Sequence, residues 1–280
     1  MTLQDFKLKM ISELSSIYEM DELNSIYNLL SEDYLKIPRS KILLADDIDL
    51  NESNQILFLS ALKRLKTHEP IQYILGKTTF MNLEFKVNSS VLIPRPETEE
   101  LVRLMLKKDL DEKEILDIGT GSGCIATSLA KNLPNAKVTA LDVSEDALKV
   151  AKENAKFNNV DIEFIHADIF EYESDKKYDI IVSNPPYVTQ SEKVLMKKNV
   201  LDYEPELALL VNDFDPLKYY DSIINFSLNN LNSQGQIFFE INENYKHELN
   251  KLAQNYEYSI IEFKLDFHNK TRFLILTKVD

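Results

Sequence analysis

The sequence predicts an α/β protein, with a parallel sheet covered by helices on both faces and a smaller helical region before it. Short apolar segments alternate with helical ones along residues 94–280, which is the order that builds such a sheet. Residues 1–70 carry helical periodicity alone. Glycine is scarce, with 5 among 280 residues, yet Gly119, Gly121 and Gly123 lie close together. This cluster indicates a place where the chain needs a bare backbone.

The first 70 residues have the periodicity of a small helical bundle. Apolar side chains recur at three- and four-residue spacing, namely Phe6, Met10, Ile11, Leu14, Ile17, Ile26, Leu29, Leu30, Ile56, Leu59, Leu62 and Leu65. Pro38 separates the second helical stretch from the third, and Pro70 follows the last. We assign residues 1–70 as a helical domain in which no catalytic set of residues is recognisable.

Residues 71–93 are predicted to form a β-hairpin that links two domains. Leu83, Phe85 and Val87 alternate with polar residues, which is typical of a half-buried strand. We assign residues 72–75, which precede Gly76, to the partner strand.

Strands and helices alternate along residues 94–280, which we assign as the second domain. After Pro94 and Pro96 the pattern predicts, in order, helix 97–108, strand 114–118, a helix after the glycine cluster, strand 137–141, helix 145–157, strands 162–165 and 178–182, helix 217–228, and strands at 236–241 and at the C-terminus.

The composition excludes several classes of protein. A net charge of −14 argues against strong non-specific binding to nucleic acid, which needs Lys and Arg to neutralise phosphates. The single cysteine, Cys124, excludes an internal disulfide, and the four histidines lack metal-ligand spacing, so we expect no metal site. Neither a signal peptide nor a run of about 18 apolar residues is present, so we expect a cytoplasmic protein without a membrane segment.

The glycine cluster follows a strand and opens a helix in the pattern D-x-G-x-G-x-G, which begins at Asp117. Such a loop lets a ligand approach the main chain without a clash against side chains. The next strand ends in Asp142, whose carboxylate is placed to accept the ribose hydroxyls of an adenosine-containing cofactor. Asp168 follows the third strand and fits a contact with the adenine edge.

The glycine pattern alone does not separate a nicotinamide dinucleotide from S-adenosylmethionine. Two details favour S-adenosylmethionine. The spacing is G-x-G-x-G, whereas the dinucleotide fingerprint is G-x-G-x-x-G. Asp117, beside the ligand, would repel a pyrophosphate but attract an ammonium group.

A second motif, Asn184-Pro185-Pro186-Tyr187, directly follows the strand at residues 178–182. The Asn184 side-chain oxygen and a proline carbonyl can accept both hydrogens of one NH₂ group, and Tyr187 offers a flat face for stacking on a planar group. An amide nitrogen is a poor nucleophile, and two acceptors on its hydrogens return electron density to it. The motif therefore indicates methyl transfer to a planar nitrogen by positioning and electrostatics.

The two motifs together resemble the class I S-adenosylmethionine-dependent methyltransferases that modify planar NH₂ groups. Further segments are similar to one family among these, the release-factor glutamine methyltransferases. They are residues 69–76 (EPIQYILG), Phe80 with residues 83–85 (LEF), residues 91–99 (VLIPRPETE) and residues 203–209 (YEPELAL). The similar segments begin near Glu69, and the helical region before them is compatible with the family.

The resemblance implies methylation of the glutamine in the Gly-Gly-Gln motif of class I peptide-chain release factors. It also implies a Rossmann-like sheet of seven strands, mostly parallel with the last antiparallel, after a small helical-bundle domain that helps to dock the release factor. The residues assigned to the cofactor are Asp117, Gly119, Thr120, Gly121, Ser122, Gly123, Asp142, Asp168, Ile169 and Asn184. Asn184, Pro185, Pro186 and Tyr187 are assigned to the glutamine, with Asn184, Pro185 and Tyr187 as the catalytic set.

Several alternatives stay open at this stage. A nucleic-acid adenine methyltransferase would use the same tetrapeptide on a flipped base, although the acidic composition disfavours it and we expect no stable nucleic-acid binding. The sequence distinguishes only weakly between a glutamine methyltransferase that acts on a release factor and one that acts on a ribosomal protein. A nicotinamide-dependent oxidoreductase would leave residues 184–187 unexplained. A catalytically inactive binding protein would not need all the residues expected of the methyltransferase site, and all of them are present. The chain departs from the family at residues 211–215 and at Asn242, where glycine is common.

Overall fold

The computed structural model describes residues 1–44, 48–256, 258 and 260–278, and its chain divides into two compact units. The first unit comprises Met1–Gly76 together with Lys197–Tyr203, and the second comprises Lys77–Met196 and Glu204–Asp280. The stretch 71–93 is therefore divided between the two units.

The first unit is helical. Its first five helices are α1 (Leu3–Leu14), α2 (Met20–Leu35), α3 (Arg39–Leu44), α4 (Glu52–Leu65) and α5 (Ile71–Leu75). Thr2 and Asp5 form a reciprocal capping box at the start of α1, and the Asn51 side chain caps α4. The predicted apolar periodicity forms a core that includes fully buried Phe6, Met10 and Phe58.

Residues 71–75 form a helix, so their prediction as a strand is wrong. The helix follows Pro70 and ends at Gly76, which has φ +71°. Its residues (IQYIL) have high strand propensity, but Tyr73 and Ile74 are buried, and Ile74 belongs to the apolar core of the helical unit. The hairpin is instead made of β1 (Lys77–Phe80) and β2 (Leu83–Lys86), which pair antiparallel.

The second unit is built on a sheet of seven strands. The remaining elements are, in chain order, α6 (Pro96–Leu106), β3 (Glu114–Ile118), α7 (Cys124–Asn132), β4 (Lys137–Asp142), α8 (Glu145–Phe157), β5 (Glu163–His166), β6 (Tyr178–Ser183), β7 (Val188–Thr189), α9 (Lys198–Leu201, in the first unit), β8 (Leu210–Val211), α10 (Lys218–Asn230), β9 (Leu231–Glu240), α11 (Lys246–Asn255), β10 (Ile260–Leu265) and β11 (Thr271–Thr277).

The strand order in the sheet is β10-β11-β9-β6-β3-β4-β5, and β11 is antiparallel to both neighbours. The expected sheet, mostly parallel with an antiparallel last strand, is therefore confirmed. Helix α11 was not predicted. Two apolar clusters form the core of this unit, one containing Ile115 and Val182 and the other Leu116 and Ile181. Neighbouring residues of β3 and β6 thus alternate between the two faces of the sheet.

This topology brings the predicted motifs to one edge of the sheet. Strands β3, β4, β5 and β6 are parallel neighbours, so their carboxyl ends meet. The glycine loop follows β3, Asp142 ends β4, Asp168 follows β5, and residues 184–187 follow β6. Within the described ranges, none of the helices combines the length and the hydropathy needed to span a membrane.

Candidate active site

A cleft lies at the carboxyl ends of the parallel strands, within the second unit. Eight of the assigned site residues line it, namely Gly119, Gly121, Asp142, Asp168, Ile169, Asn184, Pro185 and Pro186. Residues 90–92 also contribute, as do Pro205, Leu207, Ala208, Phe170 and Tyr219. Five assigned residues are not in the lining, namely Asp117, Thr120, Ser122, Gly123 and Tyr187.

The glycine loop wraps around the end of β4. The amides of Gly119 and Thr120 both donate to the Leu141 carbonyl, at 2.8 and 3.0 Å, and Gly121 N–H donates to Oδ2 of Asp142 at 2.8 Å. Gly121 has φ +55°, and a Cβ on it would meet nothing within 4 Å. The requirement for glycine there is therefore conformational, and it leaves the main chain open towards the cleft.

Asp142 is positioned by main-chain donors. Its Oδ2 accepts from Gly121, and its Oδ1 accepts from Ser144 N–H at 2.9 Å. Burial raises the pKa of its carboxyl group, although these hydrogen bonds oppose the shift. Each carboxylate oxygen has a second lone pair, so Asp142 keeps the capacity to accept two hydroxyl groups from the cleft.

Asp168 lies further along the same edge, where Phe170 N–H donates to its Oδ1 at 3.0 Å. Ile169 is buried and supplies an apolar wall next to it. The ring of Phe170 packs against that of Tyr219, with centroids 5.1 Å apart. An acceptor beside apolar and aromatic surface suits the edge and the face of a purine.

Asp117 is completely buried and lies behind the glycine loop. Its Oδ2 accepts from the Thr120 hydroxyl at 2.7 Å and from Ala126 N–H at 3.2 Å. Its Oδ1 is buried without a hydrogen-bond partner among the described residues. Burial raises the pKa of the carboxyl group to about 7. An orphaned carboxylate oxygen of this kind attracts an N–H donor or a cation.

The residues of the tetrapeptide are held from behind by a buried acid. Asn184 Nδ2 donates to the Thr98 hydroxyl at 3.2 Å, and that hydroxyl donates to Oε2 of Glu240 at 2.7 Å. The Tyr187 hydroxyl donates to Oε1 of Glu240 at 3.0 Å. Burial, reinforced by the charge of Glu240, raises the pKa of Tyr187, so the phenol stays neutral and remains a donor.

Neither Thr98 nor Glu240 was predicted as a site residue, and Asn242 was noted only as a departure from the family. The structure places Asn242 beside the tetrapeptide, because its Nδ2 donates to the Tyr187 carbonyl at 3.4 Å and also to Glu192. A polar side chain at the end of an apolar strand, as at Glu240, is the sequence signal that could have indicated the site.

The segment Pro94–Glu97, to which no role could be assigned from sequence, is anchored by Glu204. Ile93 N–H donates to Oε2 of Glu204 at 3.1 Å, and Arg95 donates to its Oε1 at 2.6 Å. The Glu204 side chain is 1% exposed. Glu204 thus joins Ile93 and Arg95, which follow the cleft-lining residues 90–92, to its own neighbour Pro205, which also lines the cleft.

The residues present fit S-adenosylmethionine. The orphaned Oδ1 of Asp117 suits the ammonium of its methionine part, Asp142 has free lone pairs for ribose hydroxyls, and Asp168 has one carboxylate oxygen for the adenine amino group. The cleft-facing backbone of Gly119 and Gly121 leaves room that a side chain would fill. The negative charge of Asp117 behind the glycine loop would instead repel a pyrophosphate.

Two family models match the chain. The model described as methyltransferase small domain matches residues 96–208, and the model described as PrmC N-terminal domain matches residues 9–76. The second match ends at Gly76, which also ends the first segment of the helical unit.

Curated relatives match over almost the whole chain. The release factor glutamine methyltransferase of Flavobacterium psychrophilum is 43% identical over 98% of this chain and 98% of its own length. The enzyme of the same name from Bacteroides thetaiotaomicron is also 43% identical, over 93% of this chain and 95% of its own.

Solved structures share the fold at low sequence identity. A methyltransferase from Pyrococcus furiosus has a TM-score of 0.54 at 18% identity and is matched over 82% of this chain and 100% of its own. The Thermus thermophilus 16S rRNA N2 G1207 methyltransferase, in complex with AdoMet and guanosine, has a TM-score of 0.52 at 16% identity, covering 72% of this chain and 49% of its own.

Proposed function

The chain belongs to the release factor glutamine methyltransferases, and from this premise we propose that it methylates the glutamine of the Gly-Gly-Gln motif in class I peptide-chain release factors. We also propose that S-adenosylmethionine is the methyl donor. The observation that carries the proposal is the position of Asn184, which lines the same cleft as Gly119 and Gly121 of the glycine loop.

The residues proposed to hold the cofactor are those that the cleft brings to the strand ends. Asp142 would accept the ribose hydroxyls, and Asp168 and Ile169 would flank the adenine. Asp117, which lies behind the glycine loop, would attract the ammonium group of the methionine part. Thr120 supports this arrangement, since its hydroxyl holds Asp117. Ser122 and Gly123 shape the turn that begins α7. When bound, the cofactor supplies an electrophilic methyl group on a sulfonium.

The tetrapeptide supplies the other half of the chemistry. Because Asn184 Nδ2 is engaged by Thr98, its Oδ1 is the atom left to accept an N–H from a substrate amide. A proline carbonyl, from Pro185 in this proposal, would accept the second N–H. These two acceptors would hold the glutamine nitrogen in one orientation and raise its electron density, which needs no strong base. Pro186 restricts the backbone that presents them.

The direct test uses the purified protein with radiolabelled S-adenosylmethionine. We expect label on a class I release factor and none on the same factor with its Gly-Gly-Gln glutamine replaced by glutamate. Parallel reactions with DNA and with ribosomal proteins test the alternatives. Label on DNA or a ribosomal protein, with none on the release factor, would contradict the proposal.

Asn184→Ala tests the role of the amide. We expect kcat to fall by about 10²–10³-fold, because one acceptor of the reacting amide is removed. The cofactor Kd, measured by calorimetry, should change by less than about threefold. Asn229→Ala, at an exposed position of α10, is the matched control and should behave as wild type. An equal loss of cofactor affinity in Asn184→Ala would show that the assigned role is wrong.

A further inference from the structure

We propose that Glu240 is a positioning residue that acts through Thr98 to determine which end of the Asn184 amide faces the substrate. The inference rests on the proposed function and deepens it. Glu240, Thr98 and Asn184 lie at the end of β9, in α6 and after β6, so the fold joins three separate elements. Thr98 and Glu240 are buried, with exposures of 3% and 1%.

The polarity of the hydrogen-bond chain follows from its first member. An ionised carboxylate accepts hydrogen bonds and cannot donate them. The Thr98 hydroxyl therefore donates its single hydrogen to Oε2 of Glu240, at 2.7 Å. Its oxygen is left as an acceptor for the neighbour at 3.2 Å, and that neighbour must be the NH₂ end of Asn184.

The consequence lies at the other end of the amide. With Nδ2 directed at Thr98, Oδ1 is directed away from it, and no residue in the described part of the chain donates to Oδ1. The reversed amide would present two N–H donors to the N–H donors of a substrate amide, which is a repulsive pairing. The orientation imposed by Glu240 is thus the one that can bind an NH₂ group.

The same carboxylate also fixes the last residue of the tetrapeptide. Its second oxygen accepts from the Tyr187 hydroxyl at 3.0 Å. One buried acid therefore holds Tyr187 directly and Asn184 through Thr98, and the loop between them cannot turn without breaking one of these hydrogen bonds.

The titratable or charged groups around the Glu240 side chain come from several elements, namely Glu97 in α6, Cys124 in α7, Tyr187, Tyr220 in α10 and Arg272 in β11. Burial raises the pKa of Cys124 to about 12 and raises the pKa values of both tyrosines, and Arg272 stays charged. Burial also raises the pKa of Glu240. Protonation at acid pH would make Glu240 a donor and remove the constraint on Thr98.

The first experiment compares Thr98→Val with Thr98→Ser. Valine keeps the shape and removes the hydroxyl, whereas serine keeps the hydroxyl. We expect kcat for the release factor to fall tenfold or more in Thr98→Val and to stay within about threefold of wild type in Thr98→Ser. The control is Thr127→Val, because the Thr127 hydroxyl is buried without a partner among the described residues. The cofactor Kd should stay constant in all three variants.

The second experiment measures the pH dependence of kcat for wild type and Glu240→Gln. Lowering the pH through the raised pKa of Glu240 should lower the kcat of the wild type. Glu240→Gln should have a reduced kcat and lack this acid limb, since a glutamine does not titrate. Other carboxylates titrate in both proteins, so the difference between the two profiles isolates Glu240.

A third measurement is independent of turnover. With ¹⁵N-asparagine labelling, the side-chain NH₂ of Asn184 should exchange faster in Thr98→Val than in wild type. Unchanged kcat and unchanged exchange in Thr98→Val would overturn the inference, as would a loss of kcat matched by an equal loss of cofactor affinity. If the wild type does not methylate the release factor, the proposed function fails, and the exchange comparison still decides whether Thr98 orients Asn184.

Discussion

Asp117 shows how a single residue of this site opposes the stability of the fold. Its carboxyl group is fully buried, and both of its hydrogen-bond donors contact the same oxygen, Oδ2. The other oxygen has no partner among the described residues. A buried charge that is only half satisfied costs free energy, and the raised pKa expresses that cost. The free protein is therefore less stable than it would be with a neutral group at this position.

Asp117→Asn should stabilise the free protein above pH 7. The asparagine oxygen can take both bonds now made by Oδ2, while its NH₂ occupies the place of the orphaned Oδ1. The pKa of Asp117 is about 7 in the folded chain against 3.8 in the unfolded one, so the folded state binds more protons between these pH values. The contribution of Asp117 to the free energy of unfolding therefore declines as the pH rises from about 4 to 7, and it stays low above pH 7.

Urea unfolding at several pH values measures this effect. We expect the free energy of unfolding of Asp117→Asn to lack the decline between pH 4 and pH 7. At pH 8 it should exceed that of the wild type by about 2–4 kcal/mol. The two proteins should converge near pH 4. Parallel stability curves for the two proteins from pH 4 to pH 8 would show that Asp117 is ionised at little cost.

Individual residues also differ in whether the sequence can reveal that they belong to the site. Gly119, Gly121 and Asn184 are recognisable because each belongs to a contiguous motif whose spacing reflects one local turn. Thr98 and Glu240 contact residues of the tetrapeptide that are 86 and 53 positions away along the chain. The polar end of an apolar strand could mark Glu240 as a candidate, but no local pattern indicates its partners, because only the folding of α6, β6 and β9 against one another brings these side chains together.

Among the elements, the turn between β3 and α7 depends on close packing against α8. Gly123 begins α7 with φ +76°, and a Cβ on it would lie 3.0 Å from the Cβ of Ala151 and 3.2 Å from its Cα. Glycine is therefore required for two reasons at this position. The close approach determines how near the glycine loop lies to α8.

The two reasons can be separated by substitution. Gly119→Ala has a similar φ of +73° with nothing within 4 Å of the added Cβ, so it should cost only the left-handed strain, about 1–2 kcal/mol. Gly123→Ala should cost more, because Ala151 must also move. The unfolding free energies of the free proteins, measured in urea, provide the comparison.

A double variant supplies the control. Ala151→Gly alone should destabilise α8 by about 1 kcal/mol. Combined with Gly123→Ala it should cost less than the sum of the two single changes, since the nearest contact, with the Ala151 Cβ, has been removed. Strict additivity would mean that Gly123→Ala acts through backbone strain alone.

Element prediction succeeded where a largely apolar run marked a buried strand, and it failed where a segment was polar or too short to show a helical period. The strands at Glu114–Ile118 and Tyr178–Ser183 are apolar runs that a buried parallel sheet requires. Helix α11 escaped because its sequence (KHELNKLAQN) is mostly polar and buries only Leu249 and Ala253. Helix α5 was mistaken for a strand because five residues are too few to reveal a helical period.

At the level of the whole molecule, two units have separate hydrophobic cores. The core of the first unit is drawn from residues 3–75, and the two clusters of the second lie between Phe80 and Leu276. Every residue that lines the cleft belongs to the second unit. A ligand that binds the folded cleft therefore adds its binding free energy to the second unit directly.

Amide hydrogen exchange with S-adenosylhomocysteine, the demethylated form of the proposed donor, tests this division. At a ligand concentration of about 100 times Kd, a binding free energy of about 2.7 kcal/mol should slow the exchange of amides that open with the sheet by about 100-fold. Strands β3, β4 and β6 should show this protection. Helices α1, α2 and α4 should exchange as they do in the free protein, because their core is separate. NAD at the same concentration is the control ligand and should protect neither unit, since the negative charge of Asp117 behind the glycine loop would repel its pyrophosphate. Equal protection of the helices and the sheet by S-adenosylhomocysteine would mean that the two cores open together as one cooperative unit.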